Sequence, residues 1–296
     1  MPAKDDEKRD RKGFSVVIPV FNEEASIKET VEKLRKVLDS TGKDYEIIII
    51  NDCSTDRTAK IIERIDGIEI ITHTINKGYG YSLKDGIRKA RYETIVMTDG
   101  DGTYPCSPIP EMLELSKGHE IVSGMRVGKG AKIPLLRRPA KFILTQLANF
   151  LVGMKIPDLN CGLRVIKKSD VTRYFRILPD RFSFTTTHLL SCIADSGRIR
   201  FVKIEYYKRA GKSTIHPVKD FLRFINIIFK EGLLINPIKF FSLISGLFVL
   251  LAILVFIYSM AFLGEIMDIS IVVLFVGAVQ IFLFGMLADL IIRKIK

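Results

Sequence analysis

The chain has 296 residues, with 45 Lys or Arg against 33 Asp or Glu, and its formal net charge of +12 favours an anionic partner. Nucleic acid is excluded as that partner, since the chain has no zinc-finger spacing, no aromatic RNA-binding motif and no Trp. The four cysteines lie far apart without a CxxC pair, which argues against a disulfide scaffold or a cysteine metal cluster.

The N-terminal half of the chain alternates between two patterns. Residues 1–12 are charged and lack an apolar stretch, so they are predicted to be a tail rather than a signal peptide. The following strands are predicted at 14–20, 45–50, 68–72, 94–98 and 119–124, and helices at 26–38, 56–65 and 81–92. Asp56 is predicted to cap the second helix. Strands alternating with helices indicate an α/β domain with a mostly parallel sheet.

Polar side chains follow three of the predicted strands. They are Asn22 and Glu23 after the first strand, Asp52 after the second, and Asp99 and Asp101 after the fourth. Ligands of open α/β sheets bind at this carboxyl edge. Two carboxylates one residue apart on a Gly-containing turn can share a hard cation such as Mg²⁺ or Mn²⁺. The pattern predicts a nucleoside-diphosphate site in which the cation neutralises the diphosphate, although each cluster taken singly is equally compatible with loop solvation.

The turn at 76–80, Asn-Lys-Gly-Tyr-Gly, leads into the third predicted helix. Its glycines could let the backbone approach a phosphate closely, but the turn lacks the full Walker pattern of a phosphate-binding loop. We therefore interpret it as part of the wall of the predicted pocket.

Two long apolar stretches lie near the C-terminus. No charged residue occurs in 240–264 or in 269–288, and each stretch is long enough to cross a bilayer as a helix. A short turn joins them, so the spans, predicted at 240–264 and 269–292, form a hairpin. Lys and Arg flank the hairpin on both sides and are absent from its turn, which predicts a cell-membrane protein whose preceding domain and both termini are cytoplasmic. Two buried core helices are the alternative.

The segment before the hairpin, 216–236, is predicted to be a basic amphipathic helix. Lys219, Arg223 and Lys230 share one of its faces, and apolar side chains occupy the other. Such a helix suits the headgroup layer of a membrane. A second amphipathic stretch covers 139–152. For both stretches, an ordinary helix packed on the core is the alternative.

Several stretches carry a resemblance to a known family. The broader matches are 17–24 (VIPVFNEE), 50–56 (INDCSTD), 76–80 (NKGYG) and 98–101 (TDGD), and the narrower ones are 123–126 (SGMR), 158–164 (DLNCGLR) and 209–213 (RAGKS). The first set resembles the family-two inverting glycosyltransferases of the GT-A fold. The second set, followed by the two spans, is similar to dolichol-phosphate mannose synthases and related polyprenyl-phosphate glycosyltransferases. One departure is the stretch 51–54, Asn-Asp-Cys-Ser, which stands where family members often have Asp-Asp-Gly-Ser, so that the first acid of the motif is replaced by Asn51 and its glycine by Cys53.

The resemblance implies a fold, a reaction and a cofactor. The fold is a GT-A-like, mostly parallel sheet with flanking helices in a cytoplasmic domain at 13–215, followed by the interfacial helix at 216–236 and the hairpin at 237–296. The reaction moves a hexose from a nucleoside-diphosphate sugar, GDP-mannose or a UDP-sugar, to a polyprenyl phosphate of the dolichyl type. The cofactor is Mg²⁺ or Mn²⁺, bound through Asp99 and Asp101. A homo-oligomer is left open.

The resemblance also implies roles for individual residues. The nucleotide sugar would be bound by Pro19, Phe21, Glu23, Ile50, Asp52, Asp99, Gly100, Asp101 and Arg126. The acceptor phosphate or the leaving diphosphate would be met by Arg164, Arg209, Lys212 and Ser213. Catalysis would rest on Asp101, Arg126 and Arg164. Because a polyprenyl phosphate is already an anion, the task is to hold two anions together rather than to provide a strong base.

Two other functions remain open at this point. The first is a membrane glycosyltransferase with a hydroxyl acceptor in polysaccharide synthesis. That enzyme would need an acidic base after the fifth strand, where 158–190 offers only Asp158, Asp170 and Asp180, without a Glu-Asp pair. The second is a membrane-anchored scaffold that binds a nucleotide sugar without turnover.

Overall fold

The computed structural model describes residues 13–127, 146, 149–150, 153–181, 183–207, 233, 236–263 and 266–295. The chain divides into two compact units. The first consists of Met1–Pro139 and Ile156–Pro217, and the second of Ala140–Lys155 and Val218–Lys296. This division lies near the predicted boundary at 216, except that Ala140–Lys155 groups with the second unit.

The first unit contains one seven-stranded sheet. Its strands are β1 (Gly13–Val20), β2 (Asp44–Asn51), β3 (Glu69–Thr72), β4 (Thr94–Met97), β5 (Ile121–Val127), β6 (Arg164–Lys167) and β7 (Ile199–Glu205). Their spatial order is β3-β2-β1-β4-β6-β5-β7. All neighbouring strands are parallel except β6, which runs antiparallel to both β4 and β5. The five predicted strands are confirmed within a few residues, whereas β6 and β7 were not predicted.

Helices cover the sheet on both faces. They are α1 (Ile27–Asp39), α2 (Thr58–Ile62), α3 (Tyr79–Lys89), α4 (Ile109–Leu115), α5 (Lys168–Arg173) and α6 (Phe184–Ala194), with a short 3₁₀ turn at Ser116–Gly118. Alternate side chains of a strand point to opposite faces. Val16 and Ile18 of β1 therefore join the core with α1, whereas Val17 faces α3. A Cβ at Gly86 of α3 would lie 2.5 Å from Val17 Cγ1, so the glycine permits this close packing.

The second unit contains two long apolar helices. After α7 (Pro237–Tyr258) the chain makes a π-helical turn at Ser259–Leu263, and α8 (Asp268–Ile295) follows. By length and hydropathy, Pro237–Phe262 and Asp268–Ile292 could each cross a membrane. Their windows have mean hydropathies of 2.9 and 2.6 and are only 11% buried, so their side chains do not form the core of a soluble fold. The predicted spans are thus present as helices.

Close contacts hold the two long helices side by side. Ser245 Oγ donates a hydrogen bond to the Ala278 carbonyl at 2.8 Å. A Cβ at Gly285 would lie 2.6 Å from Phe241 Cβ, so this glycine lets the two backbones approach. Small residues at such contacts are typical of helices that pack within a membrane.

Several predicted features lie outside the described residues. They are the tail at 1–12, nearly all of the amphipathic stretches at 139–152 and 216–236, and three residues assigned to the acceptor site, namely Arg209, Lys212 and Ser213.

Candidate active site

The carboxyl ends of β1, β2 and β3 lie in register. Val20 pairs with Asn51, and Asn51 pairs with Thr72. The residues that follow β2 and β3 continue the ladder, because the Asp52 N–H donates to the Val20 carbonyl and the His73 N–H to the Asn51 carbonyl, both at 2.9 Å. The side chains that follow the three strands therefore leave the sheet next to one another.

Hydrogen bonds join the loop after β1 to the loop after β2. Asn22 Oδ1 accepts from the Thr55 N–H at 2.8 Å, and the Asn22 N–H donates to Ser54 Oγ at 3.1 Å. The Glu23 N–H donates to Thr58 Oγ1 at 2.8 Å. These bonds fix the loop that carries the predicted nucleotide-binding residue Glu23.

Three apolar residues predicted to line the nucleotide differ in their exposure. Pro19 and Ile50 pair across β1 and β2, and both are buried in the sheet. Phe21, in contrast, is 44% exposed just beyond the end of β1. Because both side chains are buried, and that of Ile50 packs against Gly86 of α3, the geometry does not support the expectation that they contact a ligand. Phe21 offers a ring at the edge.

The carboxylate of Asp52 is surrounded by hydrogen-bond donors. The Lys77 N–H donates to Oδ1 at 2.8 Å and the Gly78 N–H to Oδ2 at 2.7 Å. His73 Nδ1 lies 2.8 Å from Oδ1. Since Asp52 is only 4% exposed, its carboxylate holds the 76–80 turn in place and does not face solvent.

The 76–80 turn is fixed from its other side by the segment before α6. The Gly80 N–H donates to the Arg181 carbonyl at 3.2 Å, and the Tyr81 N–H to the Asp180 carbonyl at 2.7 Å. A Cβ at Gly80 would lie 2.1 Å from the Pro179 carbonyl oxygen, so only glycine allows this approach. Because these N–H groups have protein acceptors, the turn fits the interpretation as a wall better than that of a phosphate-binding loop.

Asp99, Gly100 and Asp101 follow β4. Tyr79 Oη donates to Asp99 Oδ1 at 3.0 Å. Thr103 donates to Asp101 Oδ1 twice, from its N–H at 3.1 Å and from Oγ1 at 2.7 Å. Burial, together with the nearby Asp99 carboxylate, raises the pKa of Tyr79 well above its usual value, so the phenol keeps the proton that it donates. Both carboxylates are thus oriented by neighbours.

The donor set of Asp99 and Asp101 fits a hard divalent cation, which prefers carboxylate oxygens. A Cβ at Gly162 would lie 2.9 Å from Asp99 Oδ2, so a side chain at this position would crowd the Asp99 carboxylate and glycine avoids the clash. Within the described ranges, no group of three or more His, Cys, Asp or Glu side chains is arranged to hold a metal. Diphosphate oxygens and water could therefore complete the coordination of a cation bound here.

Arg126 of β5 is paired with Asp158. Its Nε donates to Asp158 Oδ2 at 2.7 Å and its Nη2 to Oδ1 at 2.8 Å, which makes the pair bidentate. The guanidinium lies over the Tyr206 ring, 5.3 Å from the centroid. Burial works to raise the pKa of Asp158, but the bonds from Arg126 hold it below its usual range. The Arg126 side chain is 19% exposed, so only a small part of it could reach a ligand.

Arg164, the first residue of β6, is completely buried. Its Nε donates to the Cys161 carbonyl at 2.9 Å and its Nη2 to the Leu159 carbonyl at 3.0 Å, while Nη1 donates to the Thr185 carbonyl. Burial lowers the pKa of Arg164. The expected contact of this guanidinium with a phosphate is not supported, because three backbone carbonyls already occupy it.

The loop that Arg164 holds carries two residues of the site. Asp158, at its start, fixes Arg126, and Gly162, near its end, lies against Asp99. Arg164 thus acts on the site through this loop.

Three residues that organise the site were not among the predicted site residues: His73, Tyr79 and Asp158. The position of each residue in the sequence nevertheless indicated that it could belong to the site. His73 is the first residue after a predicted strand, as Asp52 nearly is. Tyr79 belongs to the 76–80 turn. Asp158 begins the 158–164 stretch, and the only role weighed for its side chain was that of a possible general base.

Comparisons with known proteins give matches at both ends of the chain. Residues 15–175 match the sequence model described as "Glycosyl transferase family 2", and residues 236–293 match the one described as "GtrB C-terminal hairpin". The chain is 30% identical over 212 residues to the dolichyl-phosphate hexose transferase of Haloferax volcanii, covering 69% of this chain and 87% of that protein. It is 27% identical over 245 residues to the undecaprenyl-phosphate 4-deoxy-4-formamido-L-arabinose transferase of Pectobacterium atrosepticum, covering 80% and 72%.

Solved structures share the fold. Glucosyl-3-phosphoglycerate synthase from Mycobacterium tuberculosis, in complex with Mn²⁺, UDP-glucose and phosphoglyceric acid, superimposes with a TM-score of 0.58 at 18% identity, covering 75% of this chain and 80% of that one. S. aureus TarS in complex with UDP-GlcNAc gives a TM-score of 0.54 at 17% identity, with 74% and 66% covered. At these identities the likeness concerns the fold alone, and it confirms the predicted GT-A-like class.

Proposed function

The chain belongs to glycosyl transferase family 2, and from this premise we propose that it transfers a hexose, with inversion, from a nucleoside-diphosphate sugar to a polyprenyl phosphate. The relatives that act on dolichyl or undecaprenyl phosphate support this acceptor class, and the match to the GtrB hairpin supports its membrane setting. The observation that carries the proposal is the sheet edge, where Phe21, the Asp52-bound turn and the Asp99–Asp101 pair follow neighbouring strands.

The donor nucleotide would lie along this edge. Phe21, exposed at the end of β1, provides a ring on which a base can stack. Asp52 would contribute through the turn that it holds, since its carboxylate is engaged by Lys77 and Gly78. Glu23 sits on the loop fixed by Thr58, close in sequence to Phe21. This arrangement supports a rigid binding edge that needs little ordering when the nucleotide arrives.

The diphosphate would lie against the ends of β4 and β5. Asp99 and Asp101 would hold Mg²⁺ or Mn²⁺, which when bound stabilises the charge that builds on the leaving diphosphate. Tyr79 keeps the Asp99 carboxylate oriented and Thr103 does the same for Asp101. Arg126 would add positive charge from the β5 side, with its position set by Asp158.

The acidic residues of 158–190 argue for a phosphate acceptor rather than a hydroxyl acceptor. Asp158 pairs with Arg126 at 2.7 Å, Asp170 with Arg173 at 2.8 Å, and Asp180 with Lys84 at 2.6 Å. A carboxylate whose oxygen is already held by a cationic side chain is poorly placed to take a proton from a hydroxyl acceptor. A polyprenyl phosphate needs no such base. We assign its phosphate to Arg209, Lys212 and Ser213.

A transfer assay tests the proposal. The full chain in lipid nanodiscs with Mn²⁺ receives a labelled GDP-mannose or UDP-hexose and either a short polyprenyl phosphate or the matching polyprenol. We expect a labelled lipid product with the phosphate acceptor only. Transfer to the polyprenol would favour the hydroxyl-acceptor enzyme, and nucleotide-sugar binding without product would favour the scaffold.

We also propose that the first unit is cytoplasmic, because Lys and Arg flank the hairpin and are absent from its turn. Met267 lies in that turn and is 43% exposed. A Met267→Cys variant in intact cells should react with a membrane-impermeant thiol reagent added outside. The parent chain, whose four cysteines all precede residue 193, is the matched control and should stay unlabelled. Labelling of the variant only after permeabilisation would refute this orientation.

A further inference from the structure

His73 occupies a buried position between two carboxylates. Its side chain is 3% exposed, with Nδ1 lying 2.8 Å from Asp52 Oδ1 and Nε2 lying 3.2 Å from Asp85 Oδ2. The Tyr81 ring meets the imidazole edge-on, with centroids 5.6 Å apart. Both ring nitrogens are engaged within the protein. Neither contact with a ligand nor proton transfer in the reaction therefore explains why a histidine stands at this position.

The strand register explains how His73 reaches Asp52. β2 and β3 pair in parallel up to Asn51 and Thr72, so Asp52 and His73 leave the sheet as direct neighbours. On the other side, Tyr81 and Asp85 lie four residues apart on one face of α3. Asp85 is itself held by Arg88, whose Nη1 donates to Oδ1 at 2.8 Å. His73 thus links the end of the sheet to the start of α3.

From Asp52 the contacts continue across the edge. The Asp52 carboxylate accepts from the Lys77 and Gly78 N–H groups, and Tyr79, the next residue, donates to Asp99. The chain of contacts therefore runs from Asp85 through His73 and Asp52 into the 76–80 turn, and then to the carboxylate assigned to the metal. Two ends of parallel strands, β2 and β4, are connected in this way.

We propose that His73 is a positioning residue of the donor site: its Nδ1 fixes the Asp52 carboxylate, and through it the 76–80 turn and the Tyr79 phenol. The proposal rests on the proposed function, in which this edge binds the nucleotide sugar. Oδ1 of Asp52 serves both His73 and Lys77, so loss of the imidazole leaves the carboxylate held only by the turn that it must position. The contact with Asp85 serves to hold the ring.

Two amide substitutions separate the two contacts. In His73→Asn the amide nitrogen takes the place of Nδ1 and can donate to Asp52, whereas in His73→Gln it takes the place of Nε2 and can reach only Asp85. We expect His73→Gln to raise the KM for the nucleotide sugar about tenfold, the size of one charge-assisted hydrogen bond. We expect His73→Asn to stay within about threefold of the parent chain, and the KM for polyprenyl phosphate to change in neither variant.

Thermal unfolding and a second histidine provide the controls. Each amide variant loses one contact of a buried ring, so a purely structural role predicts equal losses of Tm and equal KM values. Such equality would overturn the proposal, as would a higher KM in His73→Asn than in His73→Gln. His119, whose Nδ1 contacts the Leu115 carbonyl at 2.7 Å, is remote from the edge. His119→Gln should leave both KM values unchanged.

The outcomes distinguish this inference from the proposed function. If the parent chain binds no nucleotide sugar, both the proposed function and the role of His73 are wrong. If the parent chain forms product and the two amide variants behave alike, only the role of His73 is wrong. If His73→Gln does not fold, Asp52→Asn replaces it, because it weakens the same contact from the other side. An unchanged KM for the nucleotide sugar in Asp52→Asn would overturn the proposal.

Discussion

The two halves of the sheet use their charged side chains differently. Around β1, β2 and β4, carboxylates stand at strand ends and are oriented by neighbouring donors, as Asp99 is by Tyr79 and Asp101 by Thr103. Around β5 and β6, the charged side chains for which the family resemblance implies phosphate contacts are used within the protein. Arg126 pairs with Asp158, and Arg164 binds backbone carbonyls. We infer that Phe21 and the Asp99–Asp101 pair of the first half meet the ligand directly, whereas the charged side chains of the second half mainly hold the site in place.

The largest effect is expected at Asp101, where a substitution tests whether the first half of the sheet binds the ligand directly. Asp101→Ala should leave the fold intact, because Asp101 lies after the end of β4 and is only partly buried. Loss of a metal-holding carboxylate should lower turnover on the order of a thousandfold, because several kcal/mol of charge stabilisation depend on the cation. Initial rates over a range of Mn²⁺ concentrations measure this effect. Thr103→Val, which removes only one donor to Asp101, is the matched control and should lose far less. A near-parental rate in Asp101→Ala would remove the metal assignment.

In the second half, Arg164 should affect stability more than acceptor binding. Arg164→Lys keeps a charge but leaves two of the three carbonyls without a donor, which should destabilise the protein by about 2–4 kcal/mol. The KM for polyprenyl phosphate should not rise selectively. Thermal unfolding and steady-state kinetics measure the two effects. Arg173→Lys, at an exposed pair with Asp170, is the control and should change little. A tenfold rise in acceptor KM at unchanged Tm would instead place Arg164 at the acceptor.

The two halves of the sheet also differ in how much of their site could be predicted from the sequence. Parallel strands bring their carboxyl ends together, so the sequence pattern was enough to place Asp52, Asp99 and Asp101 on one edge. The structure added the partners, because a contact such as His73 with Asp52 depends on the register of β2 and β3. Burial of Arg164 depends on carbonyls from two separate segments, which no local pattern reveals.

The missed strands have a similar cause. β6 has only four residues and begins with Arg164, so its sequence does not resemble a buried strand. β7 mixes charged with apolar side chains, and its last four residues alternate between buried and exposed, as in a strand with one exposed face. Both strands find their place by pairing with β5, which joins residues far apart in the chain.

The second half should also be the more sensitive to acid, because of His188. This residue of α6 is buried, and neither ring nitrogen has a hydrogen-bond partner in the described part of the chain. Burial, assisted by Arg164 and Arg173, lowers the pKa of His188 to about 3. Below pH 6.5, His188 becomes protonated in the unfolded chain but stays neutral in the folded chain. The free energy of unfolding is therefore unaffected by His188 above pH 6.5, and it decreases as the pH falls from 6.5 towards 3.

His188→Leu tests this account. In the parent chain His188 should lower the free energy of unfolding by up to about 1.4 kcal/mol for each pH unit below 6.5. The variant should lack this part of the loss and keep the part due to carboxylates such as Asp158. Because the imidazole makes no hydrogen bond that would be lost, the variant should be as stable as the parent chain at pH 8. Thermal unfolding between pH 4 and 8 compares the two. Parallel curves over that range would show that His188 does not titrate as its burial implies.

The smallest expected effect concerns the first half and Cys53. Its backbone is left-handed, with φ at 62°, a conformation that costs a residue with a Cβ about 1–2 kcal/mol and glycine almost nothing. Cys53→Gly should remove this strain, while the flexibility of glycine in the unfolded chain offsets about 0.5–1 kcal/mol of the gain. A net stabilisation of about 0.5 kcal/mol should therefore appear as a slightly higher Tm, with the KM for the nucleotide sugar unchanged. Cys53→Ala is the matched control, because it removes the thiol but keeps the Cβ, and it should show no gain. Equal gains in the two variants would attribute the effect to the thiol, and a raised KM in Cys53→Gly alone would mean that the strained turn helps to hold Asp52.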